Sequence, residues 1–312
     1  MPQILRSFFI SLSQSRFARR MVMGFPLSRR VARRFVAGET LDEAVTVIRR
    51  LNQRGLLATF DLLGENVTNA AEARAAVRDY LRILDSIEQH GLRSNVSLKL
   101  TQLGLDVDMD LCLENLRVIL THARGYNNFV RIDMEGSAYT QRTLDLYFRL
   151  RDEGFDNVGV VIQAYLNRSA DDIRKLAARG ARVRICKGAY DEPADIAFPR
   201  KADVDANYCA LVDFMWAKQA LDKGAIAALA THDENIIRWA KQESARRSLN
   251  PTQFEFQMLY GIRRERQAQL AKEGYQFRVY VPYGTQWYPY FMRRLAERPA
   301  NVLFLLRNLF ER

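Results

Sequence analysis

Hydrophobic residues along this 312-residue chain switch repeatedly between two spacings. Short apolar runs at 56–63, 95–100, 129–134, 158–163, 181–187, 225–231, 254–258 and 277–281 have the length of buried strands. Between them, near 69–90, 110–124, 140–153, 169–180, 207–223, 233–247 and 263–273, apolar residues recur with the spacing of one helical face. Ahead of the first run, Thr40 and Glu43 make a capping box that opens a helix ending at Gly55, a residue suited to the position just past a helix end. Eight strand runs, each followed by a helix, predict a parallel sheet with helices outside it. That number of units in about 250 residues predicts a closed (β/α)8 barrel of the TIM type. An open, doubly wound sheet is the alternative, but no G-x-G-x-x-G follows a strand and no P-loop is present. The longest irregular stretch, 191–207, follows the fifth strand and is read as an active-site loop.

Charge changes this picture at one end only. Residues 1–38 hold Arg6, Arg16, Arg19, Arg20, Arg29, Arg30, Arg33 and Arg34 without a lysine or an acidic residue, so +8 of the net +11 lies there. The body, 39–312, is close to balanced, which argues against a nucleic-acid partner. The arginines of 1–38 alternate with Leu5, Phe8, Phe9, Phe17, Met21, Phe25 and Phe35. That pattern suits a basic apolar helical arm, packed on the barrel or touching acidic lipid, with a targeting segment as the alternative. The expected location is cytoplasmic, peripheral on the inner face of the cell membrane. Three scattered cysteines and three histidines predict neither a disulfide framework nor a metal site.

Chemistry in such a barrel sits at the carboxyl ends of the strands. Those ends carry Lys99, Asp133, Gln163, Arg184, Lys187, Thr231, His232 and Tyr280, polar groups that are costly to bury without partners. After the last strand, a helix would place Tyr290, Arg293, Arg294 and Glu297 on one face and Phe291, Met292 and Leu295 on the other. Two adjacent guanidiniums fit a planar anion, although a solvated face laced by local ion pairs has the same spacing. The final helix is expected to lie over the barrel mouth, with Glu297 holding the arginines, so that Lys99, Arg184, Lys187, Arg293 and Arg294 form a net basic cup for an anionic ligand.

At these residues the chain resembles the proline dehydrogenase family. The resemblance rests on Tyr290-x-x-Arg293-Arg294-x-x-Glu297, Leu98-Lys99-Leu100, Arg131-Ile132-Asp133-Met134-Glu135, Arg184-x-x-Lys187-Gly188-Ala189-Tyr190, Ala230-Thr231-His232 and Tyr280-x-Pro282-x-Gly284. The length leaves no room for the aldehyde dehydrogenase domain of the fused forms, so the likeness is to the monofunctional bacterial type. It implies a flavoenzyme, with FAD or alternatively FMN, that oxidises L-proline to Δ1-pyrroline-5-carboxylate by hydride transfer and passes electrons to a quinone. A separate pyrroline-5-carboxylate dehydrogenase would be a transient partner. Arg293, Arg294 and Lys99 would clamp the substrate carboxylate. Asp133 and Tyr280 would shape the site, with Tyr283 the alternative tyrosine, and Tyr190, Leu259 and Tyr290 would wall the ring. Arg184 would lie near the reactive flavin nitrogen, and Met134, Gln163, Lys187, Gly188, Ala189, Thr231 and His232 would hold the flavin. Asp133 and Arg184 are the expected catalytic residues. Another flavin barrel acting on hydroxyproline or a folate is the competing enzyme, and a basic membrane or nucleic-acid module the competing non-enzyme.

Overall fold

The computed structural model describes residues 32–297. Most of the arm expected over 1–38, the chain after Glu297 and the side chains of Leu295, Ala296 and Glu297 lie outside the described residues.

Eight parallel strands close on themselves in chain order: β1 (Leu57–Leu62), β2 (Ser94–Leu98), β3 (Val130–Ile132), β4 (Val158–Gln163), β5 (Arg182–Cys186), β6 (Ile226–Ala230), β7 (Phe254–Leu259) and β8 (Phe277–Tyr283). The closing pair, β1 with β8, runs from Leu57 opposite Arg278 to Leu62 opposite Tyr283. Around them lie α1 (Leu41–Gln53), α2 (Ala70–Gln89), α3 (Met109–Gly125), α4 (Ser137–Asp152), α5 (Ser169–Ala177), α6 (Lys201–Met215), α7 (Lys218–Asp222), α8 (Glu234–Arg246), α9 (Arg264–Lys272) and α10 (Trp287–Glu297). The barrel predicted from periodicity is the observed fold. Every residue of β4, Val-Gly-Val-Val-Ile-Gln, is buried, because a strand in a closed barrel meets side chains inside and helices outside. The Thr40–Glu43 capping box opens α1, and Gly55 follows its end with φ +81°.

Two boundaries differ from expectation in ways that matter for the site. The helix expected over 207–223 starts at Lys201, which brings its first turn to the mouth, and an extended Ala217 breaks it into α6 and α7. The irregular segment after β5 is therefore 187–200. β3 stops at Ile132, so Asp133 and Met134 leave the ladder at the rim, although the Asp133 amide still donates to the Leu98 carbonyl at 2.8 Å.

A second, smaller cluster packs beside the main core. Phe35 and Val36 meet Trp287, Tyr288, Phe291 and Met292 of α10, with the Phe35 and Phe291 ring centroids 6.2 Å apart. Pro289 falls in the first turn of α10, where a helix loses nothing by its missing N–H. Among the described residues no helix is long and apolar enough to cross a membrane.

Candidate active site

The strand ends and α10 enclose a cavity of about 500 Å³. Lys99 reaches it from just past β2, Asp133 and Met134 from past β3, Gln163 from the end of β4, and Arg184 from within β5. Lys187, Gly188, Ala189 and Tyr190 come from the loop after β5, Thr231 and His232 from past β6, and Leu259 and Tyr280 from β7 and β8. Tyr290, Arg293 and Arg294 line it from α10. All the site residues singled out in the sequence thus share one cavity. Of the two β8 tyrosines, Tyr280 lines it, whereas Tyr283 packs edge-on against Phe60 with centroids 5.8 Å apart.

At the floor, the Arg184 Nη1 donates to Asp133 Oδ1 at 2.6 Å, and the Ser97 hydroxyl donates to the same oxygen at 2.8 Å. The Tyr280 hydroxyl donates to the other oxygen, Oδ2, at 2.7 Å. Burial and the Asp133 charge push the Tyr280 phenol far up, which keeps it a donor. The Arg184 guanidinium lies 5.0 Å from the centre of the Tyr280 ring. These bonds fix Arg184 and Asp133 against each other on neighbouring parts of the floor.

One wall runs close against Tyr165. Gly188 has φ +116°, and a Cβ there would sit 2.3 Å from the Tyr165 ring, so the backbone runs where no side chain fits. Beside it Lys187 pairs with Asp233 at 2.7 Å and with Asp205, and Lys201 reaches Asp233 at 3.1 Å. Burial raises the Asp233 carboxyl, but the hydrogen bonds from Lys187 and Lys201 outweigh it and hold the group well below the usual carboxylate range. The Leu259 amide donates to His232 Nε2 at 3.2 Å, which leaves Nδ1 as the N–H of a neutral ring. Gln163 Oε1 and Arg184 Nη2 are buried without a hydrogen-bond partner among the described residues. Such a spare acceptor and spare donor on one cavity suit a ligand that carries both functions along its edge.

The sequence missed the acids. Asp61, at the end of β1, accepts from Lys99 at 3.2 Å, and Glu65, in the loop after β1, accepts from Arg293 at 3.1 Å. With Asp133 against Arg184 and Asp233 against Lys187, four of the expected cations, Lys99, Arg184, Lys187 and Arg293, each have a carboxylate partner, so the charges of the mouth are held as ion pairs while cations still outnumber acids along its lining. Arg294 packs its guanidinium 4.9 Å from the Tyr290 ring centre. The partner expected for the arginines, Glu297, has its side chain outside the described residues; Glu65 is the acid the structure gives Arg293. Asp61 and Glu65 stand in Asp61-Leu62-Leu63-Gly64-Glu65, at the end of a buried strand and just past it, a position that was itself the missed signal. Arg131 points away from the mouth and donates to the Arg182 carbonyl at 2.6 Å.

Comparison with known proteins gives the family. The family model described as proline dehydrogenase matches residues 44–307. Proline dehydrogenase 1 of Bacillus subtilis is 46% identical over 309 residues, 99% of this chain and 100% of that protein. Proline dehydrogenase of Deinococcus radiodurans is 41% identical over 285 residues, 90% of each chain. Among solved structures, proline utilization A from Bdellovibrio bacteriovorus, inactivated by N-propargylglycine, superimposes with a TM-score of 0.79 at 26% identity, covering 86% of this chain and 33% of that one. The match in sequence and fold runs across the barrel that forms the mouth, and the chain belongs to the proline dehydrogenase family, as an oxidoreductase of that type.

Proposed function

We propose that the chain oxidises L-proline to Δ1-pyrroline-5-carboxylate with FAD bound in the mouth, and that its electrons pass to a quinone. The observation that supports this best is the meeting, in one cavity, of the Lys99–Arg293–Arg294 cations with the glycine-shaped wall at Gly188. The residues fit a flavin. Gln163 and Arg184 offer a spare acceptor and donor, Met134 and Ala189 offer apolar contact, and Lys187, Thr231 and His232 offer polar contacts for the ribityl and phosphate parts. When bound, the flavin supplies the two-electron acceptor for a hydride leaving proline.

Arg293, Arg294 and Lys99 clamp the substrate carboxylate, and bidentate guanidinium contacts fix its plane. Tyr190, Leu259 and Tyr290 wall the pyrrolidine ring, and Tyr280 and Asp133 close the floor. Holding the ring in one orientation supplies much of the rate. The substrate loses a hydride from the ring carbon beside nitrogen, on the side away from the carboxylate, and a proton from nitrogen. The surrounding cations favour that proton's loss, and the neutral amine then pushes the hydride out. Arg184, buried against Asp133, stabilises negative charge gained on the cofactor side. The arm over 1–38 would dock the protein at the membrane that holds the quinone, and the product would pass to a separate pyrroline-5-carboxylate dehydrogenase.

An anaerobic absorption spectrum of the purified protein tests this. Yellow protein that bleaches with L-proline supports it, and the mass of the flavin released on denaturation separates FAD from FMN. Yellow protein that ignores L-proline but bleaches with hydroxyproline would move the substrate assignment. Colourless protein that also fails to take up added flavin would overturn the reading.

A further inference from the structure

Asp61 is an acidic residue in an otherwise apolar strand, and it is fully buried. Strands β1 and β2 pair with Asp61 opposite Ser97, which brings the Lys99 side chain, one residue past β2, back over Asp61. Its ammonium donates to Asp61 Oδ1 at 3.2 Å, and Lys99 is itself only 8% exposed. A lysine buried this deeply would ordinarily shed its proton and lose its use as a cation.

Several charges face this ammonium. Asp61 comes from β1, Glu65 from the loop after β1, Asp133 from past β3, and Arg293, a like charge, from α10, with Glu135, which accepts from Thr101, and the Tyr190 phenol also within reach of its charge. Asp133 and Glu65 are also engaged elsewhere. Asp133 accepts from Ser97, Arg184 and Tyr280, and Glu65 accepts from Arg293. Asp61 is different: its Oδ2 is buried without a hydrogen-bond partner among the described residues and its ion pair is with Lys99; burial pushes the Asp61 carboxyl up, and the Lys99 charge opposes that rise. Asp61 in turn is faced by Asp133 and by the hydroxyls of Tyr280, Tyr80 and Tyr283.

We infer that Asp61 is a positioning residue: it holds the Lys99 ammonium charged and aimed into the mouth, with two of its three N–H donors left for the substrate carboxylate. The inference rests on the proposed role of Lys99 as a carboxylate contact. Burial works against the Lys99 charge, and Asp61, Asp133 and Glu65 more than reverse it, so the folded protein holds Lys99 above its ordinary value. Without Asp61 the largest reversing charge is gone. Lys99 then becomes neutral as pH rises, and carboxylate affinity is lost in the same direction.

The test uses holoenzyme and tetrahydrofuran-2-carboxylate, the proline skeleton with oxygen in place of nitrogen, which has no group titrating between about pH 6 and pH 9. Its dissociation constant is measured by calorimetry across that window, and each variant is read as a ratio to the unaltered protein. In Asp61→Asn the ratio is expected to climb at least ~10-fold from the acid to the alkaline end. Lys99→Met is expected to show a raised ratio without that slope, and Asp61→Asn added to Lys99→Met should change nothing further. A ratio for Asp61→Asn that is flat with pH would overturn the inference and make Asp61 a packing residue. If Lys99→Met binds the carboxylate as the unaltered protein does, the assignment of Lys99 fails, and the inference falls with it for that separate reason. Asp61→Ser, which leaves room for water beside Lys99, is read in the same way where the amide variant does not fold.

Discussion

At the amino-terminal end of the barrel, Arg278 donates through Nε to both oxygens of Glu255, at 3.0 and 3.1 Å, and through Nη1 to the Ala58 carbonyl at 2.7 Å. Arg131 there donates to the carbonyls of Arg182 and Val160. At the carboxyl-terminal end the same kinds of residue bond chiefly to one another, through Asp133 with Arg184 and Asp61 with Lys99, and leave Arg184 Nη2 and Gln163 Oε1, buried atoms of two cavity-lining residues, without a hydrogen-bond partner among the described residues. The two ends are linked. Arg184 Nε donates to Gln257 at 2.6 Å, and Gln257 donates on to Glu255. Burying charge is costly at either end. At the bottom the arginines are tied to main-chain carbonyls of the strands as well as, for Arg278, to Glu255, which locks the barrel. At the mouth the ties are side chain to side chain, so the groups stay available to a ligand. Arg131 Nε is the exception below, buried without a partner among the described residues.

If that contrast is right, Glu255→Gln should act on stability and spare binding. It leaves the half-buried Arg278 beside a neutral amide, for a loss of about 2–3 kcal/mol in unfolding free energy by denaturant titration. KM for L-proline should change less than roughly threefold, because the amide oxygen of the new side chain can still accept from Gln257 and keep the link to Arg184. A large KM shift with unchanged stability would reverse the assignment of the two ends.

Arg294→Met is the complementary break at the mouth. It should lower kcat/KM for L-proline with a dye acceptor by at least ~10²-fold, mostly through KM, while the denaturant midpoint moves less than in Glu255→Gln. Unchanged kinetics would return the arginine pair to a solvated helix face. Gly188→Ala probes the glycine wall between these extremes. Forcing a side chain to φ +116° against the Tyr165 ring costs about 1–3 kcal/mol, read as roughly tenfold or greater loss of flavin affinity in a fluorescence titration.

The barrel was legible because strands buried on both faces stand out as apolar runs, and helices between them keep one apolar stripe. Residues at the strand ends were legible for the related reason that lysine, glutamine or arginine inside such a run needs an explanation. What sequence spacing could not supply was pairing. Asp133 stands two residues from Arg131, but its partners are Arg184 and Tyr280, 51 and 147 residues away. Arg293 pairs with Glu65, 228 residues away, a partner that no local spacing proposes. Local helix spacing proposes near partners, whereas closing a barrel brings the first strand beside the last. Asp61 and Glu65 escaped notice for that reason: they face residues of β2 and α10, and neither neighbour is visible from β1 alone.

The Arg293–Glu65 pair gives the weakest and most discriminating test of the comparison. Its side chains keep 22% and 24% of their exposure, unlike those of Glu255 and Arg278, so solvent screens the attraction and the pair contributes about 0.5–1 kcal/mol. Burial pushes the Glu65 carboxyl up, but Arg293 and Lys99 pull harder, and the folded protein holds it below its ordinary value. A group depressed on folding contributes its stability in full above the unfolded value, near pH 4.5, and loses it as pH falls through the lower folded value. Denaturant titration should therefore show Glu65→Gln less stable than the unaltered protein by a constant small margin from about pH 6 to pH 8, and the margin should close only in acid, below about pH 4.5. Over the neutral range KM for L-proline should rise only a few-fold, since Arg293 loses a tether and keeps its charge. A margin as large as that of Glu255→Gln would mean that the mouth is locked like the bottom, and that ion pairs there serve the fold before they serve the ligand.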